Sequence, residues 1–166
     1  MKIRDFLLFK NLNDNEADFI KPLLKRREFK KGEMVFSEGE LGAEMYLIEE
    51  GEVRIYLKRG DYNLELAKLG AGDFFGEMAL LRVYDRSANV EVLEDSIIHI
   101  MSINVFKQIM EKDPNISVKV LTSLCNILAD RLAQTNNNLE THFLLNKAIL
   151  NDKMFRDLYI TKNKGK

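Results

Sequence analysis

Glycine spacing is what most constrains this chain. From Arg27 to Phe75, Gly32, Gly39, Gly42, Gly51, Gly60, Gly70 and Gly72 cut the sequence into short segments, each with its own small set of apolar residues. Helices of ordinary length do not tolerate such punctuation, whereas short strands joined by tight turns require it. Val53, Ile55 and Leu57 alternate with polar neighbours, and Leu64 and Leu66 do so beyond the turn signal Arg59-Gly60-Asp61, which predicts a hairpin. Val90 and Val92, then Ile98 and Ile100, carry the alternation on. Arg27 to Met101 therefore reads as all-β apart from one short helix, in a sandwich or small barrel that could be of jelly-roll type.

Helical grammar flanks this region. Asn13 and Glu16 have capping-box spacing, with Phe19, Ile20, Leu23 and Leu24 following at helical intervals and Pro22 ending or kinking the helix. From Ile103 the period is again helical: Phe106, Ile109 and Met110 share one face, Asp113-Pro114-Asn115 breaks it, and a long helix is expected from about Ile116. Along that helix Leu121, Cys125, Leu128, Leu132, Thr135 and Leu139 are spaced alternately by four and three, the interval of a two-stranded coiled coil. The stripe fits either packing on the β region or a homodimer seam. Phe143, Leu144, Leu150, Met154 and Leu158 predict one or two further short amphipathic helices in the tail, before a solvated basic end at Lys162, Lys164 and Lys166. The expected division is 1–139 for the main domain with its long helix and 140–166 for a helical tail.

Composition removes several function classes. Of 166 residues, 25 are basic and 26 acidic, so the net charge of −1 gives no broad positive field for a phosphate backbone and argues against DNA binding. The apolar patch in MKIRDFLLFKN is too short for a signal-peptide core, and no apolar run reaches membrane-spanning length. A single cysteine, Cys125, suits a reducing compartment, and the working expectation is a cytoplasmic protein with no membrane partner. Jelly rolls include metal enzymes with several histidine ligands, but this chain has only His99, in a strand, and His142, in the tail. No metal site, cofactor or catalytic residue is expected. His99 is read as a strand residue satisfied by ordinary hydrogen bonds, His142 as a continuation of the helical seam, and Cys125 as a packing residue.

The densest stretch is Gly72 to Val90, GDFFGEMALLRVYDRSANV. Gly76 permits a backbone conformation or close approach that a side chain would block, and Glu77-Met78-Ala79-Leu80-Leu81 starts like a short helix. A helix start offers unpaired amide donors to an anion. Nine positions after Glu77, Arg86 can fold back with a planar fork suited to two phosphate oxygens. Arg82, in the same loop, is expected to face solvent. Glu77 would repel a phosphate, but its carboxylate can accept from a neighbouring sugar hydroxyl. An acceptor and an anion clamp on one loop imply a small ligand with ribose and phosphate close together, as in a cyclic nucleotide. The alternative for Glu77 and Arg86 is an internal ion pair that fixes the loop.

FGEMALL followed by Arg86-Ser87-Ala88 resembles the phosphate-binding cassette of the cyclic nucleotide-binding domain family, and KKGEMVFSEGELGAEMYLIEEGEVRIY is similar to the glycine pattern of its early strands. The resemblance covers roughly residues 3 to 139. It implies an α+β fold, a jelly-roll-like β-roll with flanking N-terminal and C-terminal helices. It also implies that Glu77 binds the ribose 2′-hydroxyl and Arg86 the cyclic phosphate, with backbone help from Gly76, Met78, Ala79 and Ser87 and with Ala88 among the ligand-binding residues. In dimeric activators of the family the long helix forms the subunit interface. A threonine placed like Thr135 contacts the base there, and the next residue, here Asn136 in place of a short hydroxyl residue, reaches the partner's nucleotide. Ser87 resembles cyclic AMP binders, a threonine at that place being associated with cyclic GMP in the kinases. The expected function is a non-catalytic cyclic nucleotide sensor, for cyclic AMP in preference to cyclic GMP, that signals through its C-terminal helix to an unknown effector. The alternatives are an interaction or oligomerisation module of the same fold without a ligand, and a truncated transcription regulator, because the residues after Leu139 are too few for a winged helix-turn-helix.

Overall fold

Strands whose side chains alternate in character bury one face only, so they are stable when two sheets close on each other. The computed structural model of the chain, which describes residues 2–81 and 84–151, follows that rule. Ten strands are present among the described residues: β1 (Lys25–Phe29), β2 (Met34–Phe36), β3 (Leu41–Gly42), β4 (Glu44–Glu50), β5 (Val53–Arg59), β6 (Tyr62–Leu69), β7 (Phe74–Phe75), β8 (Tyr84–Asp85), β9 (Asn89–Val92) and β10 (Ser96–Ser102). One sheet has the order β1-β10-β4-β7, the other β2-β9-β5-β6, and β3 and β8 form a small separate ribbon. All pairings are antiparallel. Between the sheets lie Phe29, Phe36, Tyr46, Ile48, Val53, Phe75, Val90, Val92 and Ile98, all buried. This is the flanked β-roll expected from the sequence.

The predicted hairpin forms with Val53 opposite Leu69 and Arg59 opposite Tyr62, and Gly60 takes φ +61° in its turn. Its outer strand differs from expectation: Leu64 is 47% and Leu66 50% exposed. β6 is the last strand of its sheet, so its alternation marks a strand without showing that either face is covered.

Both helical flanks form. Asn13 accepts from Glu16 N while the Glu16 carboxylate accepts from Asn13 N, capping α1 (Asp14–Ile20), and Pro22 sits in the single 3-10 turn that follows. Ahead of α1, Ile3, Phe6, Leu8, Phe9 and Leu12 are buried, and Leu7 N donates to Gly72 O at 2.9 Å. The opening apolar patch is thus core, a use its short length did not reveal. A four-residue helix, α2 (Met78–Leu81), interrupts the strands where one was expected. Ser102 caps α3 (Ile103–Lys112), and Asp113 precedes α4 (Pro114–Asn151), its carboxylate accepting from Asn115 N at 2.7 Å.

The chain divides into two compact units, the first ending at Leu124 and the second starting at Cys125. Within the first, the base of α4 is tied to the N-terminal segment: Lys119 Nζ donates to both Glu16 oxygens at 2.8 and 2.9 Å, and Asn11 Nδ2 to the buried Ser123 Oγ at 3.0 Å. In the second, one expectation is corrected. Instead of separate short helices after Leu139, α4 continues unbroken to Asn151, because no glycine or proline stops it. Cys125 is also exposed rather than packed. Of the stripe, Leu121, Leu132 and Leu139 are exposed, as are Phe143 and Leu144. Arg82, Met154, Leu158, Lys162, Lys164 and Lys166 lie outside the described residues.

Candidate functional site

Arg86 sits where an exposed loop residue would be expected, yet its side chain is only 5% exposed. A guanidinium cannot shed its charge, so burying it requires acceptors around it. Nη1 donates to Glu44 O at 2.9 Å and, more distantly, to Gly76 O at 3.5 Å, while Nη2 lies 3.5 Å from a Glu44 carboxylate oxygen. Its planar face lies 4.1 Å from the Phe36 ring centroid, with Tyr46 at 5.5 Å. These rings belong to one aromatic group: Tyr46 stacks on Phe75 at 5.0 Å, and Phe36 leans on both. Burial holds the Tyr46 hydroxyl above its ordinary range, opposed by the neighbouring Arg86 charge. The wall beneath the guanidinium is therefore neutral at physiological pH.

Two glycines make this approach possible. A Cβ on Gly42 would come within 2.3 Å of Arg86 Nε and 2.4 Å of Cζ. One on Gly76 would come within 2.9 Å of Nη1, and Gly76 also needs φ +75°. The backbone of Arg86 is fixed as well, donating to Glu40 O and accepting from Gly39 N, each at 2.8 Å.

Next to Gly76, Glu77 is buried at 9% exposure. Ala79 N donates to Gly76 O and Leu80 N to Glu77 O, and Ala79 and Leu80 are buried. Their packing turns Met78 outward, where its sulfur lies 4.0 Å from Ser87 Oγ and spans the two ends of the cassette. Ala88 is buried behind it. α2 is a single turn, so the helix-dipole contribution expected at its start is small. The Ala79 amide, counted among the anion donors, already has a partner within the turn at 3.2 Å.

The structure thus gathers Gly76, Glu77, Met78, Ala79, Arg86, Ser87 and Ala88 in the first unit, whereas Thr135 and Asn136 belong to the second, exposed on α4, with Thr135 Oγ1 donating to Arg131 O at 2.9 Å. Phe36, Gly42, Glu44 and Tyr46 escaped the sequence reading. Only Gly42 left a trace there, as a turn glycine, but its role is to admit Arg86. His99 Nε2 lies 2.7 Å from Glu49 Oε2, as an ordinary hydrogen bond would have it, while its buried Nδ1 has no hydrogen-bond partner among the described residues. Among the described residues no group of His, Cys, Asp or Glu could hold a metal ion, and no helix is long and apolar enough to cross a membrane.

The sequence model of the family described as the cyclic nucleotide-binding domain matches residues 26–113, a span that contains the entire arginine site. The chain belongs to that family. The chain is 31% identical over 134 residues to the cyclic AMP receptor protein of Thermus thermophilus, covering 80% of this chain and 60% of that one. It is 31% identical over 108 residues to the regulatory subunit of the cAMP-dependent protein kinase of Candida albicans, covering 65% of this chain and 23% of that protein. The chain therefore spans less than two thirds of either relative. Among solved structures, the catabolite activator protein of Thermus thermophilus superposes with a TM-score of 0.72 at 31% identity, over 81% of this chain and 62% of that one. A cyclic nucleotide-binding domain from Methylobacillus flagellatus reaches 0.78 at 21% identity, over 85% and 82%, which speaks for the fold alone.

Proposed function

We propose that this chain is a non-catalytic cyclic nucleotide sensor of the cytoplasm, binding cyclic AMP in preference to cyclic GMP. The observation that carries it is the buried guanidinium of Arg86, which reaches Gly76 O, with the buried residue Glu77 next to Gly76 in the chain. An anion with a hydroxyl close by suits a cation and an acid carried on one loop. Arg86 takes the cyclic phosphate with the amides of Gly76, Met78, Ala79 and Ser87, the Ala79 amide exchanging its long bond to Gly76 O for the ligand. Glu77 accepts from the ribose 2′-hydroxyl, Ala88 closes the cassette, and Thr135 and Asn136 supply the base contacts. Ser87 in place of a threonine favours cyclic AMP.

The binding domain with its long helix runs to about Leu139, and that helix pairs two copies of the chain and reports occupancy to an effector. Binding shifts a pre-existing equilibrium by no more than the ligand's differential affinity for its two states. The test is calorimetric titration with cyclic AMP and cyclic GMP, with Arg86→Ala beside the parent. Loss of a charge-assisted contact costs about 2 to 5 kcal/mol, so affinity should fall by more than about tenfold. Equal affinity in the variant would overturn the assignment of Arg86. Absence of heat with either nucleotide, together with absence of thermal stabilisation, would favour an interaction module instead.

A further inference from the structure

We infer that Glu44 is a built-in competitor for the anion site, a carboxylate that occupies Arg86 when no ligand does and thereby sets the affinity of the pocket. The inference rests on Arg86 being the phosphate ligand. Glu44 meets Arg86 twice, and the two contacts differ in kind. Its carbonyl accepts from Nη1 at 2.9 Å, a good hydrogen bond that belongs to the β4 backbone. Its carboxylate stands 3.5 Å from Nη2, longer than the 2.7, 2.8 and 3.0 Å of the Arg54–Glu91, Lys119–Glu16 and Arg59–Glu38 pairs. The carboxylate's other contact, from Ala43 N, is also long at 3.3 Å. Its side chain is 43% exposed, against 5% for Arg86. One partner is fixed in the protein and the other is free to swing into water.

Charge balance gives the pair its role. A cyclic phosphate diester carries one negative charge, and so does Glu44. If both approached the single guanidinium, two anions would share one cation with the Glu77 carboxylate as a third negative charge in the same loop, and like charges at such range repel. The phosphate must therefore expel the carboxylate. The carbonyl contact is backbone and stays, so expulsion need not disturb the seat of Arg86. Glu44 is thus an affinity-setting residue whose removal strengthens binding, the opposite of what loss of a merely structural ion pair would do.

The test titrates the full chain with cyclic AMP in four forms: parent, Glu44→Gln, Arg86→Ala and the double variant. Glutamine keeps the size and the backbone carbonyl while removing the charge. Binding should tighten by roughly 1.5- to fivefold, the scale of a partly exposed ion pair, and the gain should vanish when Arg86 is absent. Glu44→Ala, which also keeps the carbonyl, should shift affinity in the same direction and covers the case in which the glutamine variant does not fold. A silent parent with a binding Glu44→Gln variant would support the inference in its strongest form. Equal or weaker binding by both Glu44 variants, with the parent binding normally, would overturn it and leave the cyclic nucleotide assignment standing. If parent and variants are all silent, both fall.

Discussion

Replacing Gly42 by alanine should disable the site without removing any group that meets a ligand. The added Cβ would lie 2.3 Å from Arg86 Nε and 2.4 Å from both Cζ and Nη2, where ordinary contact begins at 3.4 Å. The guanidinium must retreat by about 1 Å. It cannot retreat through the Phe36 ring at 4.1 Å, so it must slide off that ring and lengthen its 2.9 Å bond to Glu44 O. With the clamp misplaced, affinity should drop by about 2 to 5 kcal/mol, roughly 30-fold to several thousandfold. Overpacking costs about 1 to 3 kcal/mol of stability, a fall in melting temperature of about 2 to 12 °C for a chain of this size. Calorimetry with cyclic AMP and a thermal melt measure the two effects. Gly70→Ala is the control, because its Cβ meets nothing closer than 4.0 Å. If Gly42→Ala bound like the parent, the placement of Arg86 would have no bearing on the ligand.

Two further expectations concern the helices. Glu16 is held below the usual carboxylate range, chiefly by the hydrogen bond from Lys119 and next by the Asn13 amide. Its stabilising effect is therefore present above the unfolded carboxyl's pKa and is lost as the pH falls through the lowered folded one. Glu16→Gln should melt below the parent at pH 7, and the gap should close in acid; a gap of constant size would refute the linkage. Leu132→Asp, at a site 62% exposed in the single chain, should barely change its stability yet shift a dimer to a monomer in sedimentation and speed thiol labelling of the exposed Cys125. A dimer that persists would place its seam elsewhere.

What could be read from the sequence was local. The cap at Asn13, the hairpin around Gly60, the helix opening after Gly76 and the change of period at Ile103 depend on neighbours within a few residues, and each appears as expected. Gly76, Glu77 and Arg86 could be grouped for the same local reason, since one loop carries them all. What escaped depends on partners far along the chain. Glu44 and Phe36 meet Arg86 only after β2 and β4 are set in their sheets, so nothing near Gly42 announces the guanidinium it must admit. The burial of Phe6 and Phe9 is hidden for the same reason, and the exposure of Leu64 and Leu66 reflects the position of β6 at a sheet edge rather than its own residues. α4 runs on past Leu139 because no glycine or proline stops the backbone there, so Phe143 and Leu144 belong to the same helix rather than to a separate short one.

The start of β4 has a mechanical consequence. Two successive carbonyls there are held by different parts of the fold: Ala43 O accepts from Ile103 N at 2.8 Å, at the first residue of α3, and Glu44 O accepts from Arg86. Peptide planes are stiff, and only the two torsions at Glu44 separate one plane from the next. The Arg86 guanidinium and the first turn of α3 are therefore separated by only two stiff planes and the one joint between them. The floor of the pocket and the root of α3 are thus hinged on a single residue, Glu44.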